Sequence, residues 1–233
     1  MNRRPSPTGP YAVGTATYTV YTDREELRAP GTKRSVPVRI YYPASKASVV
    51  GLNKARYMSR NVAEGLGNLC VLKTRAMLGL MNLVTVVATP GSGKNVPFLL
   101  IDTMDMGKKH LCYVEYYDCT ADGADKDLLL AASAPYADVA DYAEKPAWYV
   151  KERMAGSLIK TGDKARLEQM ALDALKAYAA QAAAPVKAGN IAGLQAFQQR
   201  MVKEGNPSTA ALTKTLGREG AEEFFRTVVM PVQ

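Results

Sequence analysis

The sequence LVTVVATPGSGKNVPFLLIDTM, residues 83–104, decides the fold. Two apolar segments rich in β-branched residues, Leu83–Ala88 and Val96–Ile101, flank the turn-forming segment TPGSGKN at residues 89–95. This composition predicts two strands joined by a tight loop. Asp102 directly follows the second apolar segment, so we expect its carboxylate where the sheet could open into a pocket. A strand-ending Asp that begins a turn is the alternative interpretation.

The loop Pro90–Lys94 contains a Gly-Lys pair and therefore invites comparison with a nucleotide-binding P-loop. A P-loop requires a glycine five residues before that pair and a Ser or Thr directly after the lysine. Ala88 and Asn95 occupy those two positions, and a strand rather than a helix follows. The loop therefore predicts a hairpin turn and excludes this class of nucleotide site.

The composition is that of a globular protein with a basic surface. Hydrophobic residues make up 47% of the 233 residues, and the net charge is +8. We expect a disordered lead at residues 1–10 and a single domain at residues 11–233. No apolar run reaches a membrane span and no secretory signal is present, which predicts a cytoplasmic protein without a membrane partner. The basic charge alone suits nucleic acid, an acidic protein or a substrate with carboxylates, and a nucleic-acid partner is not expected.

Few residues are available for metal or thiol chemistry. The cysteines Cys70, Cys112 and Cys119 lack metal-ligand spacing, and their odd number argues against a disulfide framework. We expect buried, reduced thiols. With His110 as the single histidine, a histidine-based metal site or catalytic triad is not expected, and no bound metal or cofactor is predicted.

Strands are expected before helices along the chain. Apolar, β-branched segments predict strands at Tyr11–Tyr21, Ser35–Tyr42 and Lys108–Asp118. A segment of mixed composition predicts a short helix at Ala55–Leu66. After Asp163, apolar residues recur at helical spacing and predict four helices, at residues 167–184, Asn190–Glu204, Ser208–Leu216 and Arg218–Val229. This order predicts an α+β fold, a three-layer α/β/α sandwich with a central antiparallel sheet and C-terminal helices.

The spacing of Pro90, Pro97 and Asp102 resembles that of the ferredoxin-dependent bilin reductases, which include the phycocyanobilin, phycoerythrobilin and phytochromobilin reductases. In that family an Asp at the position of Asp102 supplies protons to the bilin. Some members carry a His at the position of Thr85. Threonine cannot shuttle protons near neutral pH as histidine can, so activities that depend on that His, notably exocyclic vinyl reduction, are not implied.

Two further segments carry the resemblance, which covers roughly residues 70–230. In Gly205–Phe225, Asn206 stands where the family has a second polar residue that faces the bilin. Asparagine also suits a helix N-cap, which is the alternative. Ser157–Lys160 is similar to an apolar strand whose final basic residue binds a bilin propionate, and a solvated lysine is the alternative for Lys160.

The resemblance implies an oxidoreductase of phycobilin biosynthesis that reduces biliverdin or a related open-chain tetrapyrrole by radical, single-electron steps. Reduced ferredoxin would be the electron donor, no cofactor would be bound, and Asp102 would supply protons. Because Asp102 is the one ionisable group in this expected site, a two-electron reduction is predicted. A non-catalytic tetrapyrrole-binding protein of the same fold is the alternative.

The N-terminal sequence suggests a third hypothesis. GPYAVGTATYTVYTDRE at residues 9–25 and VRIYYPA at residues 38–44 resemble the opening of platelet-activating-factor acetylhydrolase-like α/β-hydrolases. That chemistry requires a G-x-S-x-G elbow, which the sequence lacks. The esterase hypothesis therefore depends on two predicted strands and on no catalytic residue.

Overall fold

The computed structural model describes residues 7–13, 16–23, 38–43, 54–63, 67–76, 80–91, 94–120, 123–183, 190–206 and 209–232. Side chains are described only from residue 67 onwards. Within these residues, no helix combines the length and the apolar character that a membrane crossing requires.

One antiparallel sheet of nine strands is the centre of the described structure, and each strand pairs with the next along the chain. Its strands are β1 Pro7–Val13, β2 Ala16–Asp23, β3 Val38–Pro43, β4 Lys54–Ala63, β5 Gly67–Ala76, β6 Met81–Pro90, β7 Phe98–Met106, β8 Lys109–Tyr117 and β9 Leu158–Thr161. The predicted strand pair is confirmed as β6 and β7, with Val86 opposite Ile101.

Four α-helices follow the first eight strands. They are α1 Asp127–Ser133, α2 Lys164–Ala183, α3 Ile191–Lys203 and α4 Thr209–Phe224, and α4 continues into a π-helical turn at Phe225–Val229. The predicted start of α3 is confirmed, because the Asn190 side chain accepts a hydrogen bond from the Gly193 amide at 3.2 Å. Such N-caps stabilise a helix by about 1 kcal/mol.

The helices cover both faces of the sheet, because successive side chains of a strand point to opposite faces. On one face, Leu99 and Ile101 belong to a core with Leu167 of α2. On the other face, Phe98 packs in a core with Phe197 of α3. Burial of each large apolar side chain stabilises the fold by roughly 1.5–3 kcal/mol. The three-layer α/β/α sandwich predicted from the sequence is therefore confirmed.

The helix predicted for Ala55–Leu66 is wrong. Residues 54–63 form β4, which pairs with β5 along its length and with β3 at Tyr41↔Met58. Strand pairing with two neighbours overrides a local helical preference, which is worth less than 1 kcal/mol per residue. β5 itself had no counterpart among the predicted strands.

The N-terminal prediction needs two corrections. Instead of one strand at Tyr11–Tyr21, the chain forms the β1–β2 hairpin, in which Val13 pairs with Ala16. The disordered lead predicted for residues 1–10 is wrong for residues 7–10, which belong to β1, while residues 1–6 lie outside the described residues.

Gly217 does not separate two helices as predicted, because α4 runs without interruption from Thr209 to Phe224. A glycine inside a helix costs about 1 kcal/mol relative to alanine, and tertiary packing readily offsets that cost. Phe224 and Phe225 are buried in the core against α3, which supplies such packing. Pro185, predicted to end α2, lies outside the described residues, and α2 ends at Ala183.

We predict that Gly193→Ala lowers the free energy of unfolding by about 1–2 kcal/mol, although alanine favours helix formation. A Cβ at this position would overlap the carbonyl oxygen of Cys119, so α3 would have to move away from the sheet. The exposed neighbour Ala192 provides the control, since Ala192→Gly should cost only the helix propensity of about 1 kcal/mol. Urea unfolding measures both. Equal or greater stability of Gly193→Ala would contradict this close approach.

Candidate functional site

The Thr85 and Asp102 side chains meet on the α3 face of the sheet. β6 and β7 place the two residues directly opposite each other. The Thr85 hydroxyl donates a hydrogen bond to Oδ1 of Asp102. Thr85 is 6% exposed and Asp102 7%, so the carboxyl group is almost entirely withdrawn from bulk solvent.

Burial changes the acidity of Asp102. It raises the pKa of this carboxyl from its ordinary value of 3.8 to about 7, with a further increase from the negative charge of Glu115 and an opposing decrease from the Thr85 hydrogen bond. A group with a pKa near 7 exchanges its proton readily at neutral pH. Asp102 therefore has the acidity of a proton donor rather than of a permanently charged surface carboxylate.

A second buried carboxylate, Glu115 of β8, lies on the same face and was not among the residues predicted from the sequence. Its Oε1 accepts hydrogen bonds from Arg153 Nε at 2.5 Å and from the Tyr117 hydroxyl at 2.9 Å. Burial raises the pKa of Glu115, and Arg153 and Tyr117 oppose that increase. The alternation of Tyr113, Glu115 and Tyr117 in the sequence is the signal that could have placed Glu115 on this face.

Arg153 joins Glu115 to a third carboxylate. Its Nη2 donates to Glu144 Oε2 at 2.8 Å, and its Nη1 contacts Glu144 Oε1. The guanidinium is therefore shared by two carboxylates, both of which raise its pKa. This pairing leaves the Glu115–Arg153–Glu144 cluster with a net charge of −1 when both glutamates are ionised.

Aromatic rings lie beside this cluster. The ring centroid of Tyr117 is 4.9 Å from that of Phe197 and 6.0 Å from that of Phe98. Trp148 extends the group, with its centroid 6.0 Å from Phe197 and its indole nitrogen donating to the Gly205 carbonyl oxygen at 2.8 Å. The ionisable groups are thus bordered by a rigid, apolar surface.

Asn206 lies in the turn between α3 and α4. Its Nδ2 donates to the carbonyl oxygen of Met201 at 3.1 Å, which supplies a partner to the C-terminal end of α3. The backbone N–H of Asn206 donates to Oγ1 of Thr209 at 2.8 Å, so Asn206 bonds both to the end of α3 and to the start of α4. The residue lines a groove of about 290 Å³ between the two helices, together with Thr209 and Phe225. A role of Asn206 in bilin binding stays a prediction.

Lys160 is placed on the face opposite Asp102. It pairs with Cys112 across β8 and β9, and Cys112 belongs to the core beneath α2. Its ammonium group bonds to the Val139 carbonyl oxygen and to Asp141 Oδ1, each at 2.8 Å. The lysine is 5% exposed, so the alternative of a solvated lysine is wrong. The structure does not bring Lys160 together with Asp102 and Thr85.

The remaining candidates for metal or nucleophilic chemistry are the cysteines and His110. Within the described residues no group of three His, Cys, Asp or Glu side chains could hold a metal ion. The three cysteines are buried, as predicted, and burial raises the pKa of Cys112 and of Cys119 to about 12. His110 Nδ1 lies 3.3 Å from Asp105 Oδ1 near the β7–β8 turn.

Comparison with known proteins yields a structural neighbour. No protein-family model matches the chain, and no curated protein matches its sequence. Among solved structures, the chain is similar to the crystal structure of phytochromobilin synthase from tomato in complex with biliverdin. The TM-score is 0.58 and the sequence identity 12%, over 78% of this chain and 71% of that chain. The similarity establishes a related α+β fold.

We predict that Asp102→Asn makes the protein more stable, relative to the unsubstituted chain, as the pH rises from about 4 to about 7. Because the pKa of Asp102 is raised on folding, its contribution to stability is complete below the unfolded pKa and is lost as the pH rises through the folded pKa. Urea unfolding of both proteins between pH 4 and 8 measures the difference, which should change by a few kcal/mol. A difference independent of pH would contradict a raised pKa.

We further predict that Lys160→Met lowers the free energy of unfolding and does not change any affinity that the chain has for a tetrapyrrole. The substitution leaves the Val139 carbonyl oxygen without its donor, which costs about 1–3 kcal/mol, whereas the exposed Asp141 carboxylate stays hydrated. Lys109→Met is a control, because Lys109 is an exposed lysine whose ammonium group lies over the Tyr142 ring. Spectroscopic titration with biliverdin checks the affinity. A large loss of affinity in Lys160→Met alone would restore the propionate-binding role.

Proposed function

We propose that this protein binds an open-chain tetrapyrrole such as biliverdin on the α3 face of its sheet and reduces it by single-electron steps. The observation that carries the proposal is the buried Asp102, whose pKa of about 7 suits proton donation, in a fold similar to a biliverdin-bound phytochromobilin synthase. Asp102 also stands at the position of the proton-donating Asp of the bilin reductases that the sequence resembles.

The reaction balances with an external electron donor. A two-electron reduction adds two electrons, delivered singly by reduced ferredoxin, and two protons to one double bond of the tetrapyrrole. Asp102 supplies one proton and water supplies the other. Asp102 then regains its proton from solvent, which its pKa near neutrality permits.

Thr85 orients the carboxyl group of Asp102 but does not itself donate a proton to the bilin. Its hydroxyl bonds to Oδ1 of Asp102, so Oδ2 is the oxygen that we assign to the bilin. A threonine hydroxyl does not ionise near neutral pH, unlike the histidine found at this position in some bilin reductases. We therefore retain the two-electron reduction as the proposed reaction, although Glu115 is a second ionisable group on this face.

The charge of the protein suits the proposed partners. The net charge of +8 attracts an acidic ferredoxin and the two carboxylates of a bilin. Attraction of this kind accelerates encounter without selecting one partner, so ferredoxin enters the proposal through the resemblance to bilin reductases.

A tetrapyrrole-binding protein without reductase activity is the second candidate. The observation that favours it is Thr85, which places a neutral group beside Asp102 where some bilin reductases have an ionisable one. The esterase hypothesis is not retained, because the sequence lacks the G-x-S-x-G elbow.

Anaerobic incubation with biliverdin, ferredoxin and a ferredoxin-reducing system tests the proposal. We predict a spectral shift on binding, a progressive blue shift on reduction and a two-electron product by chromatography. Asp102→Asn should retain the binding shift and slow reduction at least about 100-fold, as expected for the loss of a general acid.

Asp105→Asn is the matched control, because it makes the same substitution three residues along β7 on a partly exposed, lysine-paired carboxylate. It should reduce biliverdin at nearly the unsubstituted rate. Binding without reduction would support the second candidate. The absence of any spectral change would reject both candidates, and undiminished reduction by Asp102→Asn would reject the role of Asp102.

A further inference from the structure

Glu115 stands diagonally across the sheet from Asp102. Asp102 pairs with Tyr113 and Leu100 pairs with Glu115, so the two carboxyl groups occupy the same face on adjacent strands. Diagonal neighbours of this kind have Cα atoms roughly 7–8 Å apart and Cβ atoms somewhat closer. The two groups are therefore close enough to interact through a medium of low dielectric constant.

The contacts of Glu115 favour its anionic form and oppose the increase in its pKa that burial causes. Oε1 accepts from Arg153 Nε and from the Tyr117 hydroxyl, and it also contacts Arg153 Nη2. A protonated carboxyl would lose most of the attraction to Arg153. An ion pair at this depth is weak evidence for stability, because removing two charges from water offsets much of their mutual attraction. A functional reason for the buried charge is therefore worth testing.

Glu115 is the carboxylate that faces Asp102 among the described residues. From β6 the neighbour is Thr85, which is neutral, and from β8 the neighbours are Tyr113 and Glu115. Burial raises the pKa of Tyr113 to about 12, so it is uncharged at neutral pH.

Two other ionisable groups interact electrostatically with Asp102. They are Tyr149 of the 3-10 helix Trp148–Glu152 and, from the opposite face, the Cys112 thiol, and burial raises the pKa of each. Both are therefore neutral when Asp102 titrates. Arg153 and Glu144 lie beyond Glu115 and reach Asp102 through it.

We propose that Glu115 is a positioning residue whose negative charge, fixed by Arg153 and Tyr117, keeps the proton on Asp102 at neutral pH until a bound tetrapyrrole takes it. The use of that proton depends on the function proposed above, whereas the effect of Glu115 on Asp102 does not. In this arrangement Arg153 serves the two glutamates and is not available as a binding group for the carboxylates of a ligand.

The titration of Asp102 in the bilin-free, full-length chain tests this inference. Carbon-13 NMR of labelled Asp carboxyl groups follows it, with the Asp102 signal assigned by its loss in Asp102→Asn. Glu115→Gln should move the titration midpoint of Asp102 toward acid by about one pH unit, a tenfold decrease in proton affinity. The glutamine oxygen can still accept from Arg153 and Tyr117, which favours retention of the fold.

Glu144→Gln is the matched control, because it removes the other carboxylate on Arg153 without changing the charge that faces Asp102. Glu144→Gln should shift the titration midpoint of Asp102 much less than Glu115→Gln does. Glu115→Asp keeps the negative charge, so its midpoint should be close to that of the unsubstituted chain. If Glu115→Gln does not fold, Glu115→Gln/Arg153→Met/Glu144→Gln removes all three charges of the cluster, which sum to −1, and should also move the midpoint toward acid. An unchanged midpoint in the folded variant would overturn the proposal.

Kinetics separate this inference from the proposed function. If the chain reduces biliverdin, Glu115→Gln should displace the alkaline limb of the pH profile of kcat toward acid and leave KM nearly unchanged. If it does not, the NMR result still decides whether Glu115 controls Asp102. An acid shift by NMR with an unchanged kcat profile would overturn the catalytic use of this proton.

Discussion

The burial of the Asp102 carboxyl between two packed layers is the constraint on which the site depends. A carboxylate withdrawn from water is costly unless it is paired, and the cheaper solution is to keep its proton. Thr85 supplies one hydrogen bond, which partly compensates the ionised form, and Glu115 adds a charge that opposes ionisation. These groups together give Asp102 a pKa close to neutral pH.

The three-layer architecture makes this burial possible. Cores on both faces of β7 fix the strand, with Leu99 directed toward α2 and Phe98 toward α3. Because adjacent residues of a strand alternate between the faces, the position of Asp102 follows from the packing of Phe98 and Leu99. Tyr117 links the apolar layer to the ionic cluster, since its ring packs against Phe197 while its hydroxyl bonds to Glu115.

Local patterns predicted the central hairpin, because two apolar, β-branched segments and a breaker-rich loop are specified by neighbouring residues. They placed Asp102 at the end of the second strand, whereas β7 continues past it to Met106. Features that depend on tertiary contacts could not be predicted from local sequence. The Glu115–Arg153 pair joins residues 38 positions apart and requires the return of the chain after β8. The face of Lys160 depends on the β8–β9 register, and a shift of one residue reverses it. Helix α4 continues through Gly217 because the stabilisation from tertiary packing exceeds the helix-propensity cost of glycine.

The central claim is that a tetrapyrrole meets Asp102 on the α3 face of the sheet. A crystal structure of the protein with bound biliverdin tests it most directly. The account predicts the tetrapyrrole between the sheet and the C-terminal helices, with Oδ2 of Asp102 within about 3 Å of a pyrrole nitrogen or a lactam oxygen. Biliverdin bound on the α2 face, or Asp102 still enclosed by protein without contact to the ligand, would contradict it.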